Sequence, residues 1–288
     1  NLFRQEGVHC FVNGTWSTMD KSTDPLMQTG GNPFGQTVND IMAVAVDPED
    51  GAHAFAGSWD DGVIEIRNGH VETFYNASGN SSLQIYAQNG AENQVMVAGL
   101  AFDPDGNLWV ANSNCEEPIS VRTNSGSWRS FDPGNVLNNN SLLGDVLAAR
   151  NNSLKWFIRP RSNGLLVFDD NGTIDQVGDD QYKALTTAEG NGALPSLDVF
   201  SLAEDLDGEI WVGTGKGVAV FYNPGSIFSS EGADSQQILI EQDGNVQILL
   251  ETEAVISMAV DGADQKWLAT QRSGAYLVSA DGTEQLIH

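Results

Sequence analysis

The few cations of this 288-residue chain sit in places where they could do chemistry. Only 13 residues are Lys or Arg. Four of them, Arg159, Arg161, Lys216 and Arg272, fall in short segments between runs of β-forming residues, and Lys183 follows Tyr182 in a longer stretch. A guanidinium offers a planar fork of donors that matches phosphate and carboxylate, so this set points to capture of an anion. Trp59 lies in a comparable segment and supplies a surface on which a sugar ring could stack. A second candidate is acidic. Asp169-Asp170-Asn171-Gly172-Thr173-Ile174-Asp175, with Asp179-Asp180 behind it, carries hard oxygen donors, and Asp169, Asn171 and Asp175 are the candidate ligands for calcium. It does not follow the EF-hand loop, and Asp and Asn also favour turns on their own account.

Catalytic constellations are not evident. His9, His53, His70 and His288 are scattered, without the spacing of a zinc site, and no Gly-x-Ser-x-Gly elbow occurs. No catalytic residue is assigned, the chain is not expected to be an enzyme, and no cofactor beyond the candidate calcium is expected. Cys10 and Cys115 are too few for a disulfide framework and are expected to be buried free thiols.

The elements that must carry these residues come from an internal repeat. Five copies share one grammar: a first apolar run, an Asp/Gly/Asn turn, a second run, a loop, a third run and a weaker fourth. Trp109, Trp156, Trp211 and Trp267 hold the same place in the second run, with Ala54 assigned to it in the first copy. Steps of 55, 47, 55 and 56 residues separate them. Four antiparallel strands every ~50 residues is the spacing of a β-propeller blade. Val8–Val12 and Thr15–Thr18, around Asn13-Gly14, form a further hairpin that matches third and fourth strands. The expected fold is therefore all-β: one propeller over 1–288, with a partial blade at 1–19 and complete blades at about 38–75, 97–131, 143–177, 197–250 and 254–288. That makes about six sectors, a fragment of a larger ring. Fourth strands are expected at Val71–Phe74, Trp128–Phe131, Ile174–Val177, somewhere within Ile238 to Leu250, and at Gln285–Ile287. In such a blade the second-to-third loops and the crossovers share one end. That end gathers Trp59, Arg159, Arg161, Lys183, Lys216 and Arg272 as candidate ligand-binding residues.

Two resemblances follow from these residues. Leu206-Asp207-Gly208-Glu209-Ile210-Trp211-Val212-Gly213-Thr214 through Val218 resembles the two-component-regulator propeller repeat, and Asp105 to Ala111 and Lys266 to Thr270 are weaker copies. The stretches Ala56-Gly57-Ser58-Trp59 with Gly62-Val63, Leu100 to Asn112, and Phe168 to Thr173 resemble the second propeller of PorZ-type surface proteins of the type IX secretion system. That resemblance implies two seven-bladed propellers with a sorting domain in the parent protein, and hence that the ring of which this chain is a fragment is seven-bladed. It also implies an exported, outer-membrane surface location, a role beside the sortase, and handling of anionic lipopolysaccharide. It supplies no catalytic residues.

Charge narrows the partners. With 39 Asp and Glu the formal net charge is −26, which repels phosphate backbones and argues against nucleic acid. No run of about 18 apolar residues spans a membrane. No basic segment followed by an apolar one begins at Asn1, and the sequence opens in mid-pattern, as a piece of a longer protein would. The expected role is a non-catalytic binding or scaffold module at the cell surface or in the periplasm, with an anionic glycan, lipopolysaccharide or secretion-system proteins as partners. The alternatives are the periplasmic sensor propeller of a hybrid histidine kinase and, third, a propeller lyase or lactonase.

Overall fold

The computed structural model describes residues 7–12, 14–29, 38–86, 94–137, 141–229, 234–242 and 244–287. Contacts within the chain cluster into two compact units, residues 1–148 and 149–288.

Unit 1 opens with a hairpin of β1 (Val8–Val12) and β2 (Thr15–Met19), followed by a short helix, α1 (Pro25–Thr29). Two four-stranded antiparallel sheets follow in simple meander order. The first holds β3 (Ile41–Val46), β4 (His53–Ser58), β5 (Gly62–Arg67) and β6 (His70–Tyr75). The second holds β7 (Val97–Phe102), β8 (Leu108–Asn112), β9 (Ile119–Arg122) and β10 (Trp128–Phe131), and β11 (Val146–Ala148) ends the unit. Unit 2 starts inside the third repeat with β12 (Leu154–Ile158), β13 (Leu165–Asp169) and β14 (Gln181–Leu185). A four-stranded meander of β15 (Val199–Glu204), β16 (Ile210–Thr214), β17 (Gly217–Phe221) and β18 (Gln236–Gln237) comes next. A separate hairpin of β19 (Leu239–Gln242) and β20 (Asn245–Ile248) precedes the last meander. That meander consists of β21 (Val255–Val260), β22 (Lys266–Thr270), β23 (Ala275–Val278) and β24 (Gln285–Ile287). Among the described residues no helix is long and apolar enough to cross a membrane.

The cores lie between successive sheets because strand alternation gives each sheet two apolar faces. In unit 1, Phe55 and Val63 pack with Leu100, Leu108 and Val110 of the next sheet. In unit 2, Trp211, Val218 and Val220 pack with Val255, Leu268 and Val278. Trp109, Trp156 and Trp211 are fully buried, and each indole stabilises by about 4–6 kcal/mol of gross apolar burial. Trp267 stands at the same register on β22 but is 42% exposed.

Three sequence assignments move. The equivalent of the repeated Trp in the first copy is Phe55, not Ala54: Ala45 pairs with Phe55 as Ala101 does with Trp109 and Ala203 with Trp211. Two extra residues in the β3–β4 turn shift the count. The fourth strand of the third repeat is β14, whereas Ile174–Val177 lies in turns, so that blade runs past 177. Phe168 stacking on Tyr182 at 4.8 Å holds β14 in register. In the fourth repeat, the fourth strand is the two-residue β18, and Leu239 to Ile248 form the added hairpin, so the blade does not extend to 250.

The sheets are joined by shared backbone acceptors. The segments entering the β7, β15 and β21 sheets each present two consecutive carbonyls, one to the preceding sheet and one to their own second-to-third loop. Val95 accepts from the Gly62 N–H and Met96 from Ser113; Leu197 accepts from Gly164 and Asp198 from Gly215; Glu253 accepts from Gly217 and Ala254 from Gln271. Gly164 directly precedes β13 at φ +73°, where a Cβ would collide with the Leu185 carbonyl oxygen; Gly274 directly precedes β23 at φ +85° with open space around it. Gly274→Ala should therefore cost only the left-handed conformation, about 1–2 kcal/mol. Gly164→Ala adds a backbone clash and should cost at least about 3 kcal/mol in chemical denaturation. Equal costs at the two positions would refute this account of the joint.

Candidate functional site

At the opposite end from that joint, the turn between the first two strands is built by one carboxylate in four of the five repeats. Asp103 accepts from the backbone N–H of Asp105 and Asn107 and from Trp109 Nε1 at 2.8 Å. Asp205 does the same with Asp207, Glu209 and Trp211, also at 2.8 Å. Asp261 accepts from Ala263 and Gln265, with Trp267 Nε1 at 3.4 Å. In the first copy Asp47 instead binds His53 Nδ1 at 2.9 Å, and His53 Nε2 lies 2.8 Å from Glu65. Six residues before Trp156 stands Arg150 rather than Asp. The buried Trp156 Nε1 has no partner, and Arg150 pairs outward with Glu204 at 3.0 Å.

Unit 2 carries a buried charge cluster at these turns. Lys266 is 1% exposed. Its ammonium sits 3.0 Å from Asp205, 3.1 Å from Asp264 and 4.8 Å over the Trp211 ring, and it donates to the Ala280 carbonyl. Burial raises Glu209, and repulsion from Asp205 adds to it, taking that carboxyl up to about 7.

The loop end holds the predicted ligand-binding residues. The position three residues beyond each repeated aromatic ends the second strand, or in the third copy directly follows it, and is buried in every copy: Ser58, Asn112, Arg159, Thr214 and Thr270. Four of these side chains are satisfied by nearby backbone. Ser58 donates to the Asn39 carbonyl, Asn112 binds Gln84 and Met96, Thr214 donates to Gly217, and Thr270 to Gly274. Arg159 is 5% exposed, and its Nε is sealed from solvent without a hydrogen-bond partner. Burial lowers its pKa, and among the described residues no carboxylate contributes. A buried charge left unpaired costs on the order of 3–5 kcal/mol. The loop after it is strained, since Arg161 and Ser162 both adopt positive φ, 60° and 59°. It is held by Asn163 Nδ2, which donates to the Pro160 and Arg161 carbonyls, and by Ser162 Oγ, 2.5 Å from Asp198.

Three cation-bearing loops of unit 2 are linked through the joint. The Arg159–Gly164 loop and the Gly215–Lys216 loop meet at Asp198. The Lys216–Gly217 and Gln271–Ser273 loops meet at Glu253 and Ala254, where Ser273 Oγ donates to Glu253 at 2.7 Å. Arg161, Lys216 and Arg272 are exposed there. Lys183 is not in this group. It lies on β14 rather than in a crossover, and its Nζ donates to the Ile227 carbonyl at 2.9 Å. Trp59 belongs to unit 1, half-buried in the β4–β5 loop, with its N–H on the Asp40 carbonyl.

The acidic loop uses its oxygens internally. Asp169 accepts from Ser153 and the Asn171 N–H, Asp170 binds the buried Lys155 at 2.6 Å, and Asn171 donates to the Asp179 carbonyl. Asp175 lies in the turns that follow. Among the described residues no group of three or more His, Cys, Asp or Glu side chains is placed to hold a metal ion. Cys115 is buried, and burial takes its thiol up to about 12; Cys10 is only half-buried, contrary to expectation.

Repeated four-stranded antiparallel meanders with interleaved apolar faces define a β-propeller. No protein-family model matches the chain, and no curated protein matches it. Among solved structures it is similar to PorZ, an essential surface component of the type IX secretion system of Porphyromonas gingivalis from the human oral microbiome. Identity is 26%, the match covers 95% of this chain and 36% of that one, and the TM-score is 0.79. The chain is a propeller related to PorZ and spans about a third of its length.

More distant likenesses concern the fold alone. A virginiamycin B lyase from Staphylococcus aureus matches at 10% identity over 95% of this chain and 87% of that one, with a TM-score of 0.55. A candidate 6-phosphogluconolactonase from Bacteroides uniformis matches at 13% over 97% and 75%, with a TM-score of 0.52. The expectation that the chain is not an enzyme is corrected accordingly: the same fold carries lyase and lactonase chemistry, so neither fold nor repeat excludes catalysis.

The raised Glu209 carboxyl makes a pH prediction. Its folded-state pKa of about 7 lies above the ordinary 4.5, so the folded state holds the proton more tightly. That contribution is present below pH ~4.5 and is lost as pH rises through ~7. Glu209→Gln should remove this slope and leave the variant more stable than the parent at pH 8, by on the order of 1–2 kcal/mol given partial solvent contact. Parallel stability–pH curves for the two proteins would contradict it.

Proposed function

We propose that the chain is the ligand-binding propeller of an exported surface protein serving type IX secretion, and that it holds an anionic glycan of the lipopolysaccharide kind. The observation that carries this reading is the likeness to PorZ, which runs along 95% of the chain at a TM-score of 0.79. The charge distribution supports it. A chain of net charge −26 repels a polyanion at long range, so capture must rest on a local arrangement of cations. Arg161, Lys216 and Arg272, exposed on three linked loops of unit 2, provide one. Two of the three are arginines, whose donor fork suits phosphate and carboxylate groups along a glycan.

Calorimetric titration of the purified chain with anionic lipopolysaccharide, and with an uncharged glycan of similar length, tests the reading. Binding is expected for the anionic polymer alone. The combined Arg161→Glu, Lys216→Glu and Arg272→Glu variant should lose at least about tenfold in affinity, roughly 0.5 kcal/mol or more per reversed contact. Equal binding of the uncharged glycan, or an unchanged triple variant, would remove the proposal.

A further inference from the structure

We infer that the Arg159 guanidinium anchors a single oxyanion, a carboxylate or a phosphate, at the loop end of unit 2. This rests on the reading of the chain as a binder of anionic glycan and names the chemical group that is gripped.

The residue three beyond the repeated aromatic has one structural task, which is to close the second strand and satisfy backbone groups at the loop. Ser58, Asn112, Thr214 and Thr270 perform it with small polar side chains. The third repeat needs nothing more than a Thr there to do the same. It carries instead the one side chain in the set with a permanent charge, 5% exposed and with Nε unpartnered. Its backbone still does the structural work, the N–H donating to the Gly164 carbonyl at 2.9 Å as Thr270 does to Gly274. The guanidinium is therefore surplus to the fold; among the described residues no carboxylate contributes to its charge balance, and a buried charge so placed is expensive to keep. An oxyanion with two acceptor atoms matches the fork in a bidentate pair and supplies the missing charge. Burial also answers the chain's overall acidity: in a low local dielectric one such pair outweighs diffuse repulsion from distant carboxylates screened by solvent.

Thermal melting at constant ionic strength provides the test, with inorganic phosphate, glucose 1-phosphate, glucuronate and glucose as probes, on the parent chain and on Arg159→Thr and Arg159→Lys. The parent should melt several degrees higher with phosphate-bearing probes or with glucuronate, and not with glucose; the larger of the two responses identifies phosphate or carboxylate as the natural group. Arg159→Thr, which recreates the residue of the fourth and fifth repeats, should melt above the parent without ligand and lose the anion response. Arg159→Lys should keep a reduced one. An anion response undiminished in Arg159→Thr, or no response in the parent, overturns the inference. The Arg159 Nε–H resonance of labelled parent protein decides the matter without a variant: a shift on adding the anion supports the anchor, and a static resonance removes it. Small anions that bind where lipopolysaccharide does not would leave the anchor standing and end the glycan reading. Lipopolysaccharide binding that Arg159→Thr leaves intact would do the reverse.

Discussion

Two consecutive backbone carbonyls at the entry to the β7, β15 and β21 sheets, divided between the sheet behind and the loop ahead, are the constraint on which the joining of these sheets depends. Leu197 and Asp198 illustrate it, accepting from Gly164 of the previous repeat and from Gly215 of their own. Because both acceptors lie on adjacent residues, the two donors cannot move independently. A strand start in one repeat and a loop in the next are thereby locked to a common segment. Apolar side chains fill the space between sheets and supply most of the stabilisation, but they are non-directional. The paired acceptors set the register in which Trp211, Val255 and Leu268 meet.

The same constraint explains why one end of the repeats can carry recognition while the other is given to structure. The turns between first and second strands are closed by Asp103, Asp205 and Asp261, each binding its own turn and its own indole. Those carboxylates are occupied. At the loop end, backbone groups already close the loops, so side chains such as Arg161, Lys216 and Arg272 are free to vary without loss of the fold. Arg159 lies at the border of the two regimes, buried like a structural residue and charged like a recognition residue.

Much of the architecture was legible in the sequence, because Trp spacing, Asp-Gly turns and alternating small and bulky residues each report strand geometry directly. The hairpin of β1 and β2 followed from its turn residues. Fourth strands were the weak point. Ile174 and Val177 have higher β-propensity than Gln181 or Lys183, yet ring stacking between Phe168 and Tyr182 selects the later segment, a long-range contact that propensity does not see. β18, only Gln236-Gln237, has no propensity signal at all. Phe55 was displaced to Ala54 by counting residues where the turn is two longer. The candidate site divides in the same way. Arg159 was visible as a loop cation, but its burial emerged only from the register that equates it with Thr214 and Thr270. Lys183 was visible too, although its role as a donor to Ile227 depends on the strand it occupies. The cluster of Lys266, Asp205 and Glu209 was missed, and its signal was the Asp placed six residues before Trp109, Trp211 and Trp267.

Amide hydrogen exchange followed residue by residue tests the shared-acceptor account most directly. The Gly164, Gly215 and Gly217 N–H groups lie in loops or at strand starts, yet each donates across the joint. They should exchange as slowly as the central amides of β13 and β16. Exchange at the rate of the turn amides of Gly208 or Gly282, whose bonds stay within one turn, would contradict it.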